Sequence, residues 1–411
     1  MSFVRRLVCL LLSGGILLPV AAAGELALGM STALSGPTAE LGIAMRDGVR
    51  LGLERLNREG GVNGREVRLL VLDDGYEPAR TAPNMRRLIE EDSVLAVVGN
   101  VGTPTAIASL PLIRERRVLF FAPFTGAGVL RQQPPERYVI NFRASYADEI
   151  EAMVAALVEE AGLAPAEIAF FTQRDGYGDA GYIGGLNALR RHGLEDERQV
   201  LHVRYPRNTL AVENALADLL LAEQLPRAVI MVGAYAPCAK FIVLARQAGL
   251  ESLFLSVSFV GGNFLAQALG EEVGGVIVTQ VVPHPEDTRL PLVADFHRDI
   301  ADWSPETAPS FVALEGYIAA RLLSLALTRI SGEMSREKLI QALEGLGDFD
   351  LGLGRPLRLG PDRHQASNEV WPTLLKGGEL IPFDWAEIPP LVPPVPAQGS
   401  GAAAGRGHAG P

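Results

Sequence analysis

The fold is decided by VLAVVGNVGTPTAIASLPLIRERRVLFFAPFTGAG, residues 94–128. Two apolar runs, 94–99 and 118–123, are short and rich in Val, Leu and Phe, which predicts strands buried on both faces. The segment 103–116 between them predicts a helix with Thr103 at its N-cap and a proline directly after it. A strand, a glycine turn and a helix start place free backbone N–H groups at the carboxyl edge of a sheet. Small polar or anionic ligands bind at that edge in open α/β sheets, so the stretch predicts small-molecule binding.

The rest of the chain repeats this alternation of strands and helices. One series runs from Glu25 to the strand at 138–145, and a second starts with the helix at 146–161. Two successive βαβ series predict an α/β fold with two lobes, each built on a mostly parallel sheet.

Both ends of the chain differ in composition from the middle. Two arginines, an apolar core and the triplet Ala21–Ala23 predict a cleaved signal peptide over 1–23, and therefore export to the periplasm. Proline, alanine and glycine dominate 387–411, which predicts a disordered tail. Only Cys238 remains after cleavage, so no intramolecular disulfide is expected, and a small buried hydrophobe is the better interpretation of that residue.

Charge and motifs exclude several classes of function. The formal net charge of −11 argues against nucleic-acid binding, which requires basic patches. The nucleophile elbow, the P-loop and the zinc-protease motif are missing from the sequence, and its six histidines are scattered. We therefore expect a binding protein rather than an enzyme, with no cofactor and no metal.

Several short motifs together resemble one known family. They are TALSGPTAELG (32–42), VLDDGYEPA (71–79), VVGNVGTPT (97–105), APFTGA (122–127) and RDGYG (174–178). In this order they are similar to the periplasmic substrate-binding proteins of ABC importers, of the leucine/isoleucine/valine-binding type.

The resemblance implies a type I periplasmic binding protein fold: two Rossmann-like lobes, joined by three crossings, that close like a hinge over one ligand. It places lobe one at 24–144 plus 281–351, and lobe two at 145–280 plus 352–386.

The resemblance also implies a set of ligand-binding residues. The lobe-one turns would bind the α-carboxylate of a ligand, aromatic residues of lobe two would cover it, and aliphatic residues would line its apolar part. In that order they are Gly102, Thr103, Phe124, Thr125 and Gly126; Tyr177 and Tyr235; and Leu41 and Val101. Ser258 and Phe259, from the segment 256–260, are two further candidate ligand-binding residues.

One departure from the family leaves the ligand open. Amino-acid receptors of this type place a glutamate after the strand that corresponds to 253–257, whereas this chain reads Ser256-Val257-Ser258-Phe259-Val260 there, without an acid. A buried ammonium without a carboxylate partner is costly. Either Asp175 or Glu315 substitutes for the missing acid, or the ligand lacks the amine, as an aromatic carboxylate, urea or another amide does.

The function expected from all this is that of a monomeric receptor. It would capture a small amino acid or a related carboxylate or amide and deliver it to an ABC permease in the inner membrane. The alternative is a ligand-sensing domain that uses the same fold to signal to a membrane partner.

Overall fold

The computed structural model describes residues 24–394. The strands, in chain order, are β1 (Leu26–Thr32), β2 (Val67–Asp73), β3 (Ala96–Val98), β4 (Leu119–Phe121), β5 (Val139–Ile140), β6 (Ile168–Gln173), β7 (His202–Tyr205), β8 (Ala228–Val232), β9 (Leu253–Ser256), β10 (Val276–Gln280), β11 (Gly347–Phe349), β12 (Leu357–Leu359), β13 (Trp371–Lys376) and β14 (Glu379–Pro382).

The α-helices, in chain order, are α1 (Ala39–Arg58), α2 (Pro78–Arg86), α3 (Thr103–Arg116), α4 (Tyr146–Ala155), α5 (Gly176–Arg191), α6 (Glu213–Leu220), α7 (Tyr235–Gln247), α8 (Gly262–Leu269), α9 (Pro291–Trp303), α10 (Phe311–Leu327) and α11 (Arg336–Glu344). Helices α2 and α4 each continue into a five-residue π-helical turn. No helix of the described chain is both long and apolar enough to cross a membrane.

Two sheets organise the molecule, and the prediction of an α/β fold with two mostly parallel lobes is confirmed. The first sheet has the order β2-β1-β3-β4-β5 and is parallel throughout. The second has the order β14-β13-β10-β9-β8-β6-β7, in which only β13 and β14 run antiparallel to their neighbours. Strands of both sheets are largely buried, as their continuous apolar runs predict.

The chain passes between the two lobes three times. It leaves the first sheet after β5, returns after β10 to form α9, α10 and α11, and crosses back before β13. The first and third crossings run side by side, because Asn141 donates its N–H to the carbonyl of His364 and accepts from the N–H of Ala366. The residue at which each crossing changes lobe stays a prediction.

Helix α10 belongs with the first lobe because it packs closely on α1. A Cβ on Gly48 would lie 1.9 Å from the carbonyl oxygen of Ala313, and one on Gly316 would lie 2.5 Å from that of Met45. Glycine at both positions lets the two backbones approach directly.

Several element predictions from sequence are too long. The segment 138–145 contributes only the two residues of β5, and the strand expected over 253–257 ends at Ser256. Residues 258–260 form a 3₁₀ turn instead, which carries two predicted site residues out of the sheet.

The predicted leader 1–23 lies outside the described residues, and so does the tail from 395 onward. The prediction of disorder is wrong for 387–394. Ile388 is fully buried, and the carbonyl of Pro393 accepts a hydrogen bond from Arg227 at 2.9 Å. The few aliphatic side chains in this proline-rich segment suffice to hold it against lobe two.

Candidate functional site

The turns after β3 and β4 lie side by side because these strands pair in parallel register. Val98 is opposite Phe121, and the pairing continues into the turns as an isolated bridge between Val101 and Phe124. The N–H of Gly102 donates to the carbonyl of Phe124 at 3.1 Å. Both turns therefore end at one edge of the first sheet, as predicted.

Thr103 and Thr125 meet at this edge. Their hydroxyl oxygens lie 2.7 Å apart and are both buried. The prediction that Thr103 is the N-cap of α3 is wrong: Gly102 occupies the N-cap, and Thr103 is the first helical residue. Its hydroxyl is therefore directed to Thr125 rather than to the backbone of its own helix.

Gly102 is required by its own backbone and by a neighbouring ring. Its φ is 107°, a conformation that disfavours every residue with a Cβ, and a Cβ here would lie 2.2 Å from the ring of Tyr76. Tyr76 is fully buried, and its hydroxyl accepts a hydrogen bond from the Gln173 amide of lobe two at 3.1 Å. Sequence reasoning missed Tyr76, although it follows the strand-end pair Asp73-Asp74 in one of the recognised motifs.

Aromatic rings from both lobes form one buried cluster at this edge. The ring of Phe259 lies 5.3 Å from that of Phe124 and 4.5 Å from that of Tyr177, measured between centroids. Tyr177 in turn lies 5.2 Å from Tyr146. Gly126 gives room to Tyr146, since a Cβ on the glycine would lie 2.6 Å from that ring.

Two of the predicted residues lie at a separate part of the interlobe contact. A Cβ on Gly261 would lie 2.4 Å from Leu41 and 3.0 Å from Phe264, so these two side chains converge there from opposite lobes. The half-buried Tyr235 packs on Phe264 with ring centroids 5.6 Å apart. Leu41 and Tyr235 thus both lie beside Phe264, and neither contacts the Thr103–Thr125 pair through any of these interactions.

A buried ion cluster completes the site, and sequence reasoning identified only one of its members, Glu315. The Arg143 guanidinium lies 3.3 Å from Glu149 of α4 and 3.6 Å from Glu315 of α10. It also donates to the Ser258 hydroxyl, and its Cζ is 4.9 Å from the ring centroid of Phe124. Arg143 lies on the first crossing, so this cluster ties both lobes to the hinge.

Glu149 places its carboxylate beside Ser258, in the segment 256–260 that itself contains no acid. It accepts hydrogen bonds from the N–H of Ser258 and from the hydroxyl of Thr279, both at 2.7 Å. Desolvation raises the pKa of Glu149, while Arg143 and these donors oppose the rise. Desolvation likewise raises the pKa of Glu315, to about 7, against the opposing charge of Arg143.

The rim of the interlobe contact is polar. Arg207 donates to the carbonyl of Tyr76 at 2.9 Å and to Glu77 at 2.7 Å. Asn208 donates to the carbonyl of Gly75 at 3.1 Å and to the other oxygen of Glu77 at 2.7 Å. These contacts join the loop after β7 of lobe two to the loop after β2 of lobe one.

Other features of the described chain offer no comparable site. One surface cavity of about 420 Å³ lies on lobe one near Asp47 and Trp303, and another of about 410 Å³ lies beside the crossings near Arg131 and His364. Neither contains the threonine pair. No group of three or more His, Cys, Asp or Glu side chains suited to a metal occurs within 24–394. Cys238 is a buried free thiol whose pKa is raised by burial, which confirms its interpretation as a small hydrophobe.

Comparison with known proteins is consistent with this architecture. A family model described as periplasmic binding protein matches residues 25–379. The structure of a possible leucine/isoleucine/valine-binding protein from Rhodopirellula baltica SH 1 is 52% identical, with a TM-score of 0.87, over 90% of this chain and 99% of that one. A substrate-binding periplasmic protein from Ralstonia solanacearum is 29% identical, with a TM-score of 0.81, over 88% of this chain and 100% of that one.

A curated relative gives the same affiliation. The leucine-, isoleucine-, valine-, threonine- and alanine-binding protein of Pseudomonas aeruginosa is 23% identical over 325 residues, which cover 78% of this chain and 83% of the relative. The chain therefore belongs to the periplasmic binding protein family, in its leucine/isoleucine/valine-binding group.

Proposed function

We propose that this protein is the solute receptor of an ABC importer and that it binds a small carboxylate, amino acid or related amide between its lobes. The observation that carries the proposal is the pairing of the Thr103 and Thr125 hydroxyls at the carboxyl edge of the first sheet, opposite Tyr177 and Phe259 of the second. Two hydroxyls and the N-terminal end of α3 suit one anionic group, because both hydroxyls can turn to donate to it.

Binding would proceed by hinge closure. In the closed arrangement the aromatic cluster and the polar rim join the lobes, with Gln173 bound to Tyr76 and Arg207 to Glu77. Opening about the three crossings would separate these pairs and expose the threonines to solvent. A ligand that contacts both lobes would then shift the population toward closure, because it binds the closed state better than the open one.

The names of relatives support a ligand class that includes branched aliphatic amino acids. Relatives carry names that refer to leucine, isoleucine and valine, among them one 52% identical to this chain. A body of that size, or an aromatic one, is compatible with the apolar and aromatic residues around the threonines, Val101, Phe124 and Phe259.

The compartment, the oligomeric state and the partner follow from the same proposal. The leader at 1–23 would direct export to the periplasm, where the receptor would work as a monomer and dock on a permease of the inner membrane. A receptor of this kind releases its ligand unchanged, so no turnover is expected.

Thermal unfolding and calorimetry of the full chain test the proposal. We expect at least one compound from a panel of amino acids, keto acids, aromatic acids and amides to raise the melting temperature and to bind with 1:1 stoichiometry. A panel without a single binder, or chemical conversion of a bound compound, would contradict it.

A further inference from the structure

The charged groups at the interlobe site differ in how many hydrogen-bond and ion-pair partners they have within the protein. Glu149 is held by Ser258, Thr279 and Arg143, as described above. Asp175 accepts from the N–H of Tyr177 at 2.9 Å and from the Gln173 amide at 2.7 Å, so its carboxylate caps α5. These two carboxylates therefore already accept hydrogen bonds from other groups of the protein.

Glu315 is a further buried acid at this site, and it faces a cation already. Arg143 lies between Glu315 and Glu149, and desolvation raises the pKa of Glu315 to about 7, so near neutral pH a large fraction of it is uncharged. An ammonium group brought to Glu315 would meet a partly neutral acid and the adjacent guanidinium. Both circumstances disfavour a cationic ligand group here.

The cation, in contrast, has donors to spare. Arg143 is only 1% exposed, yet within 24–394 its Nε has no hydrogen-bond partner, and its Nη1 has none closer than the 3.6 Å ion-pair contact with Glu315. The hydroxyl of the adjacent Tyr146 is likewise buried without a hydrogen-bond partner in that range. Buried polar groups are normally satisfied, and an unpaired guanidinium donor suits an anion above all.

Arg143 contacts two aromatic rings that flank the Thr125 turn. The Cζ of Arg143 is 4.9 Å from the ring of Phe124 and 5.9 Å from that of Tyr146. Phe124 immediately precedes Thr125, and the N–H of Tyr146 donates to the carbonyl of Gly126 at 2.9 Å. A positive charge thus packs on Phe124 and Tyr146, which flank the turn that carries the Thr125 hydroxyl.

We propose that Arg143 determines specificity: its Nε donor favours a ligand carboxylate, while its position between Glu149 and Glu315 keeps both acids from pairing with an ammonium group, so that the site selects carboxylates without an α-ammonium group. This inference rests on the proposed receptor function and narrows its ligand to amine-free acids with an apolar or aromatic body.

The first test uses matched ligand pairs on the unaltered full chain. Leucine is compared with 4-methyl-2-oxopentanoate and 4-methylpentanoate, and phenylalanine with 3-phenylpropanoate, by isothermal titration calorimetry. We expect at least one amine-free acid to bind more than tenfold tighter than its amino-acid counterpart. Amino acids that bind as tightly as the acids would overturn the inference and leave the receptor function standing. Absence of any binder would overturn both.

The second test uses variants whose expected effects differ in sign. Arg143→Lys keeps the charge but loses the planar fork, and acid affinity should fall roughly tenfold or more. Glu315→Gln leaves Arg143 less neutralised, and acid affinity should hold or rise. Arg55→Lys serves as control, because Arg55 forms a partly buried ion pair of 2.6 Å with Asp299, which involves neither threonine.

The outcomes of this second test are distinct. A purely structural role of the cluster would weaken binding in both cluster variants, which would overturn the inference. Unchanged acid affinity in Arg143→Lys would overturn it too. If amino acids bind to the unaltered chain and Glu315→Gln abolishes that binding, Glu315 is the ammonium partner and the inference is wrong. Glu315→Gln and the ligand pairs decide the matter even if Arg143→Lys does not fold.

Discussion

The hydroxyl oxygens of Thr103 and Thr125 lie 2.7 Å apart although 22 residues separate them along the chain. Parallel pairing of β3 with β4 causes this proximity, because it brings the carboxyl ends of both strands, and the turns that follow, to one point. Two hydroxyls that now bind each other can be redirected to a shared acceptor with little movement of the backbone.

We expect Thr103→Val combined with Thr125→Val to abolish the ligand-induced rise in melting temperature, since both donors to the carboxylate are lost. Valine is nearly isosteric with threonine, so the packing of the two turns should persist. Thr373→Val is the matched control, because Thr373 of β13 is also buried. Its hydroxyl donates to the carbonyl of Val278 in β10 at 2.7 Å. If the ligand raised the melting temperature of the double variant as much as that of the unaltered protein, the ligand would bind at another site.

Gly102→Ala should destabilise the protein more than an alanine at a glycine with a similar backbone. At Gly102 the positive φ and the Tyr76 ring both oppose a Cβ, and we expect a loss of at least about 2 kcal/mol in the free energy of unfolding. Gly64 also has a positive φ, 74°, but open space around it, so Gly64→Ala should cost only about 1 kcal/mol. Denaturant unfolding measures both, and equal losses would show that Tyr76 does not confine Gly102.

Removing the polar rim should favour the open state. Arg207→Ala with Asn208→Ala eliminates the bonds to Glu77, Tyr76 and Gly75, and the pairs are partly exposed, so we expect ligand affinity to fall roughly fivefold. Small-angle scattering should show a larger radius of gyration without ligand. Glu197→Ala, which breaks an exposed ion pair with Arg190 inside lobe two, should change neither quantity. Unchanged affinity and radius in the rim variant would argue against closure through these contacts.

The pKa of Glu315 predicts a specific pH dependence of stability. Burial raises this pKa to about 7, with Arg143, Glu149 and Arg131 as the charged groups around it. Between the ordinary glutamate pKa of about 4.3 and 7, the folded state keeps a proton that the unfolded state has lost. Stability from this residue is therefore present at low pH and declines as the pH rises through that window.

Glu315→Gln removes this decline. The free energy of unfolding of the variant minus that of the unaltered protein should accordingly rise from pH 5 to pH 8, as measured by denaturant titration at each pH. Taking the difference cancels other titrating residues such as His202, whose pKa burial lowers to about 4. A difference that is flat or falls with pH would contradict the assignment of Glu315.

The α/β architecture was predictable because buried parallel strands leave continuous apolar runs, as at 94–99 and 118–123. Helix α3 matches its predicted bounds, 103–116. The turn residues of the candidate site could be proposed because they follow such strands directly. Strand ends were less predictable. The apolar residues Val257, Phe259 and Val260 continue the pattern of β9 but lie beyond the end of the strand, and the Phe259 ring packs between the lobes.

The ion cluster could not be predicted from local pattern. Arg143 lies after a strand of only two residues, and a charged residue there is ordinarily exposed. Its partners Glu149 and Glu315 come from α4 and α10, 166 residues apart in the chain, and meet only because the crossings bring the lobes together. Tyr76 could not be predicted for the same reason, since its hydrogen bond with Gln173 forms only between the two lobes.

A crystal structure of the protein with a bound amine-free acid tests the central claim most directly. The account predicts that the carboxylate accepts hydrogen bonds from the hydroxyls of Thr103 and Thr125, in place of the bond between them, and that Phe259 and Tyr177 cover the ligand from lobe two. A ligand found outside the interlobe contact, or with its carboxylate away from both threonines, would contradict it.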